Sequence, residues 1–192
     1  MRAQAHTVEA FAAAVLVVGG LIFATQATAV TPLSASTSNQ HIENQQQASI
    51  EGLLAASAER GTLAEAVLYW DVEEEEFEGA ESGVYAEGPP NEFGDDLNEL
   101  LSDRRIAFNV VVRYPDGEGG TDTEPMVRMG QPSDNAVSAT RSIGLYDSSR
   151  LSVDGDDREF GELDEGEFYA DDIAADSQLY TVVEVEVVAW RK

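Results

Sequence analysis

The sequence predicts an α+β chain: a long N-terminal helix, transmembrane and then amphipathic, packed on an antiparallel sheet of about four strands. Three observations predict it. Ala10–Val30 is one apolar run, AFAAAVLVVGGLIFATQATAV. Residues 33–60 place apolar side chains at helical spacing. The second half holds four segments rich in β-branched and aromatic residues, set apart by turn-forming sequence.

The apolar run is long enough for a bilayer. Its 21 residues, at ~1.5 Å each, reach roughly 30 Å, the depth of a hydrocarbon core. No charge lies between Glu9 and Glu43, and Arg2 cancels Glu9, so the formal net charge of -26 resides in residues 43–192. Arg2 on the cytoplasmic side would place the acidic part outside the cell. A secretory signal competes with this reading, because Ala27-Thr28-Ala29 has the small-residue pattern of a cleavage site.

Beyond Pro32, the helix continues as a thin stripe of Leu33, Ile42, Ile50, Leu53, Leu54 and Ala58, with Gln and Glu on its other face, and Gly61 fits its C-cap. A linker through Ser34–Asn39 is the alternative. Thr62-Leu63-Ala64-Glu65 reads as a capping box opening a short helix that ends near Asp71, with a strand through Ala66–Trp70 (AVLYW) as the alternative. Glu73–Glu76 and the Gly/Pro-rich residues to Asn91 read as a solvated loop. Phe93, Leu97, Leu100 and Leu101 mark another short helix.

The strands follow: Ile106–Tyr114, Pro125–Gly130, Ala136–Asp147 and Leu179–Trp190. The last alternates most clearly, with Val183, Val185 and Val187 on one face and Glu184 and Glu186 on the other. The domain plan is a leader at 1–9, a transmembrane helix at 10–30, a helix extension at 31–61 and an acidic extracellular α+β domain at 62–192.

Composition narrows the function classes. The 37 Asp and Glu against 11 Lys and Arg would suggest disorder, but 43% hydrophobic content in periodic runs argues for a folded, halophilic protein in salty water. Such acidity opposes nucleic acid, whose phosphates it repels. The sequence has no cysteine, so disulfides, thiolate nucleophiles and cysteine zinc sites are excluded.

Catalytic machinery is hard to assemble. The two histidines, His6 and His41, flank the apolar run, outside the sheet domain. Neither common glycine-rich phosphate motif occurs. Asp154, Asp156 and Glu165 fit positions one, three and twelve of a calcium loop, but Arg158 and Glu159 stand where a ligand and a glycine belong. Asp116, Glu118 and Asp122 form a weaker second candidate. The expectation is no enzyme, no cofactor and no metal site.

Residues Arg2–Glu9 (RAQAHTVE) resemble the processing site of type IV pilin-like proteins. Ala29–Gln46, Ala66–Trp70, Ala107–Val110 and Ser138–Tyr146 are similar to small haloarchaeal, and so archaeal, membrane proteins of that pilin-like, or pseudopilin-like, class. The resemblance implies cleavage by a prepilin-type peptidase between Gln4 and Ala5, which makes Glu9 the fifth residue. It departs at Gln4, where the bacterial pattern has glycine. Archaeal versions place a glutamine just after the cut, which makes Glu9 the sixth. Glu9 would then pair with a neighbouring subunit's terminal amine, and Ala12, Ala13, Gly19 and Gly20 would let helices pack closely. The expected function is a membrane-anchored, single-pass pilin-like subunit of a cell-surface or secretion-type assembly, partnered by like subunits. The alternative is a monomeric cell-surface protein that binds an envelope partner.

Overall fold

The computed structural model describes residues 14–18, 40–117, 119–153, 158–164 and 166–191. The chain divides into two compact units, Met1–Ile42 and Glu43–Lys192. In the first, residues 14–18 are helical and exposed.

The long N-terminal transmembrane/amphipathic helix packed on the sheet is overturned. Among the described residues no helix is long and apolar enough to cross a membrane. Residues 40–60 (α1) are helical and carry Glu43, Glu51, Glu59 and four glutamines, so they belong to the expected polar extension and not to a membrane span. The apolar stripe is also shorter than expected. Ile50 and Leu54 are buried, whereas Ile42 is 40% exposed. Residues 10–13 and 19–39 of the expected helix lie outside the described residues.

Gly61 ends α1 with a positive φ of 84°, the left-handed conformation that glycine tolerates best. The next helix, α2 (Thr62–Val67), begins at once. This tight joint removes the expected capping box: Gly61 holds the N-cap position, and Thr62 lies buried in the first turn. The Thr62 hydroxyl instead donates to the Ser57 carbonyl at 3.4 Å.

The chain then pairs β1 (Trp70–Asp71) with β2 (Glu76–Phe77), so α2 stops before Asp71. The Asp71 carboxylate accepts from the Glu73 and Glu74 amides at 2.7 and 3.1 Å and closes the turn. The expected solvated loop is therefore a structured hairpin whose sequel buries Phe77, Ala80 and Tyr85. Helix α3 (Glu92–Leu100) starts at Asn91, whose side chain accepts from the Gly94 amide at 3.1 Å. It buries Phe93 and Leu97. A 3-10 turn, Ser102–Arg104, leads into the sheet.

Four strands form that sheet: β3 (Ile106–Pro115), β4 (Thr121–Arg128), β5 (Val137–Tyr146) and β6 (Leu179–Arg191). Their order is β4-β3-β6-β5 and every pairing is antiparallel. Alternation decides which face is covered. Phe108, Val110 and Val112 from β3 and Val183, Val185 and Val187 from β6 are buried in one core with Ile50, Leu54, Leu63, Val67, Phe93 and Leu97. The opposite face is polar, with an ion pair between Arg113 and Glu186. Tyr85 lengthens the β4 edge: its amide donates to the Met126 carbonyl, and its carbonyl accepts from the Arg128 amide, both at 2.9 Å.

Candidate functional site

A depression opens where β3 and β5 end and β6 begins. It measures about 560 Å³, and its lining includes Asp147, Phe160, Asp164, Asp171, Asp172 and Tyr180. A 3-10 turn at Phe160–Glu162 presses Phe160 into the core, with its ring 4.7 Å from those of Phe168 and Tyr180. The Tyr180 hydroxyl donates to the Ala170 carbonyl at 3.1 Å. Burial, then the charges of Asp172, Asp171 and Asp147, push its pKa up to about 12. At neutral pH this phenol keeps its proton and cannot serve as a base.

The carboxylates around the depression are partly engaged in local structure. Asp172 accepts from the Ala174 amide at 2.8 Å. Nearby, Asp116 accepts from the Gly120 amide at 2.7 Å, which tightens the turn after β3. Among the described residues no group of three or more carboxylate or imidazole side chains is placed to hold a metal ion. Of the calcium-loop candidates, Asp154, Asp156 and Glu165 lie outside the described residues, as does Glu118, and Asp122 is exposed on β4.

A smaller groove of about 300 Å³ separates α1 from α3, lined by Ser49, Leu53, Arg60, Asp96, Glu99 and Arg104 among others. Arg60 pairs with Asp96. Buried Ser57 lies beneath them, with its hydroxyl 3.5 Å from the Asp96 carboxylate and 3.4 Å from the Arg60 guanidinium. The guanidinium holds this carboxylate as a counter-ion. No imidazole is placed here to take a proton from Ser57: His41 lies exposed at the start of α1, and His6 is outside the described residues. The arrangement joins two helices rather than activating a nucleophile.

From Phe160, in the lining of the first depression, an aromatic cluster runs through Phe168 to Tyr169, ring centroids 4.7 and 4.0 Å apart. Trp70 meets Phe77 and Tyr169 with ring centroids at 5.3 and 5.0 Å, both edge-on. The Trp70 indole donates to the Glu167 carbonyl at 3.2 Å, and the Tyr169 hydroxyl donates to the Val67 carbonyl at 3.2 Å. Burial, then Glu124 and Tyr114, raise the Tyr169 pKa. These hydrogen bonds staple the segment after Phe160 onto α2 and β1. The cluster is core, not a stacking platform.

The predicted processing and assembly residues, Gln4, Ala5 and Glu9, and the packing residues, Ala12, Ala13, Gly19 and Gly20, lie outside the described residues. The feature that sequence reading missed is the placement of the arginines. Arg60, Arg113, Arg150 and Arg158 form ion pairs. Arg104, Arg105, Arg128 and Arg191 are exposed. Among the described residues their side chains have no ion pair or hydrogen bond. Only the strand order brings them to one end of the sheet.

A model described as a family of unknown function, DUF7288, matches residues 2–189, and the chain belongs to that family. No curated protein and no solved structure matches it.

Proposed function

We propose that this chain is a membrane-anchored, non-enzymatic subunit of a cell-surface or secretion-type assembly of the pilin-like kind. One observation carries the reading. Val15, Leu16, Val17 and Val18 are helical and 56%, 76%, 63% and 57% exposed. At about 100° per residue, four consecutive positions span most of the helix circumference. A stretch apolar on all sides is covered by a medium that surrounds it, lipid or a bundle of like segments, rather than by one flat partner. These residues sit inside a run without charge from Ala10 to Ile42, and everything after it is strongly acidic.

The non-enzymatic part rests on the depressions. Of the two hydroxyl side chains that line them, the Tyr180 phenol is held protonated and the Ser49 hydroxyl donates to the Gln45 carbonyl at 2.9 Å, while Ser57 beneath the groove faces an ion pair. Assembly through the N-terminal segment rests on Glu9. A carboxylate at the rim of an apolar segment needs a cation or the headgroup region, and a neighbour's freed amine would supply the cation.

The mature N-terminus, measured by mass spectrometry on membrane fractions, tests this reading. The expected result is a membrane-bound chain that starts at Gln4 or Ala5. A soluble chain that starts at Val30 would overturn it. Crosslinking in membranes then compares the native protein with Glu9→Gln, which keeps shape and removes charge. Oligomers should be lost in the variant. Equal yields would remove the pilin-type assembly and leave only the anchor.

A further inference from the structure

The acidic domain has two unlike ends. At one, β3 finishes beside Asp116, β4 begins beside Asp122, β5 runs into Asp147, and Asp171 and Asp172 stand near the start of β6. At the other, Arg104 and Arg105 precede Ile106, which pairs with Arg191 at the end of β6. Arg128 closes β4 opposite Asn109, toward the same end. Asp103, Asp134 and Glu43 share that end, and Glu99 lies along the groove beside Arg104. This end is thus close to neutral, on a chain of net charge -26.

The arginines are not there to hold the fold together. Carboxylates are abundant, and four other arginines find one. The fifth unpaired arginine, Arg141, lies midway along β5, opposite Val185. The chain also enters the domain at the arginine end. Glu43, the first residue of this compact unit, accepts a hydrogen bond from Asn135 at 2.8 Å, two residues before β5. Only residues 31–42, all uncharged, separate Glu43 from the apolar run.

We propose that the end formed by Arg104, Arg105, Arg128 and Arg191 is a face that contacts the headgroup phosphates of an anionic bilayer and so sets the domain upright on the membrane. The proposal rests on the membrane-anchored reading above. Its physics is that of a dipole rather than a net charge. An anionic surface repels a body this acidic least when the near-neutral arginine end faces it. Turning the arginine end downward moves the aspartates of the far end beyond the screening length, which is ~10 Å in 0.1 M salt. Guanidinium groups without protein partners are also suited to bidentate contact with phosphate oxygens. A second copy offering its aspartate end is the competing occupant. The membrane is favoured because Glu43, at the arginine end, follows the apolar run by only twelve residues of sequence.

The absence of cysteine allows clean labelling. Full-length protein carrying Ser133→Cys (arginine end) or Ala175→Cys (aspartate end) is labelled with a fluorophore and reconstituted into vesicles whose headgroups carry a quencher. Vesicles of phosphatidylcholine alone are compared with vesicles containing phosphatidylglycerol, in salt that keeps the native circular dichroism. The label at position 133 should be quenched more strongly on anionic vesicles, and the label at 175 should not. Arg191→Glu, a change of two charges, should shift the docked-to-undocked ratio by about 30-fold, and Arg104→Glu should act likewise. Arg141→Glu, with the same charge change away from this end, should leave it unaltered. Equal quenching on both lipids, or no response to Arg104→Glu and Arg191→Glu, overturns the face while leaving the anchor intact. A chain that floats with neither vesicle refutes the anchor, and the face falls with it. Charge-dependent proximity of label 133 to the aspartate end of another copy, in place of headgroup contact, would assign the arginines to self-assembly instead.

Discussion

Replacing Phe77 with alanine separates two accounts of residues 73–91. If these residues were a solvated loop, the change would cost within about 0.5 kcal/mol, as surface substitutions do. The structure gives a different answer. Phe77 is fully buried, with Trp70 edge-on at 5.3 Å, Tyr169 at 5.9 Å and Tyr85 at 6.3 Å between ring centroids. Emptying such a site costs about 3–5 kcal/mol, the transfer of the ring plus the cavity it leaves. The short β1–β2 pair can relax, so the lower value, near 3 kcal/mol, is expected. For a chain of this size that is a fall of roughly 6–12 °C in Tm. Urea unfolding followed by far-UV circular dichroism measures it, because Trp70 fluorescence would itself change with its neighbour. The slope on urea should stay constant while the midpoint falls. Phe77→Leu, which refills part of the space, should lose clearly less. A loss below about 1 kcal/mol for Phe77→Ala would show that the hairpin is not part of the core.

Two glycines predict opposite signs for one substitution. Gly52 is exposed in the middle of α1, and an added Cβ meets nothing within 4 Å, so Gly52→Ala should stabilise by about 0.5–1 kcal/mol. In Gly94→Ala the Cβ would fall 1.8 Å from the Pro89 carbonyl oxygen, so the first turn of α3 must move at a cost of about 1–3 kcal/mol or more. Thermal melts of both variants check this, and a shared sign would refute the packing at α3. Glu124 has its pKa raised by burial. Its ionised form therefore opposes folding above the raised value, and this penalty vanishes below the ordinary carboxylate range, where folded and unfolded chains are both protonated. Glu124→Gln should raise Tm at pH 7 and lose that advantage as pH falls. An advantage independent of pH would point to something other than desolvation.

Local pattern was enough to find the β6 strand, because Val183, Val185 and Val187 face one core and Glu184 and Glu186 take the opposite, polar face. It was enough for α3 too, where Phe93 and Leu97 recur at helical spacing. It failed at Phe77, one apolar residue after four glutamates. Its burial depends on Trp70 and Tyr169, and the latter lies far along the chain. It failed at the N-terminus for a related reason. Hydropathy and spacing predict a helix that is transmembrane over 10–30 and amphipathic to residue 61, whereas no described helix is long and apolar enough to cross a membrane and the helix at 40–60 buries only a short stripe. The arginine end fails differently again. Residues 104, 105, 128 and 191 share no motif, and each alone reads as an ordinary solvated charge. They meet because a central β3–β6 pair runs antiparallel, which sets the first residue of one strand against the last of the other. Strand order is a property of the whole sheet, so charge segregation of this kind is encoded in topology rather than in any window of sequence. In a chain this acidic, where each carboxylate is individually unremarkable, the few cations without partners among the described residues are the charges whose positions carry information.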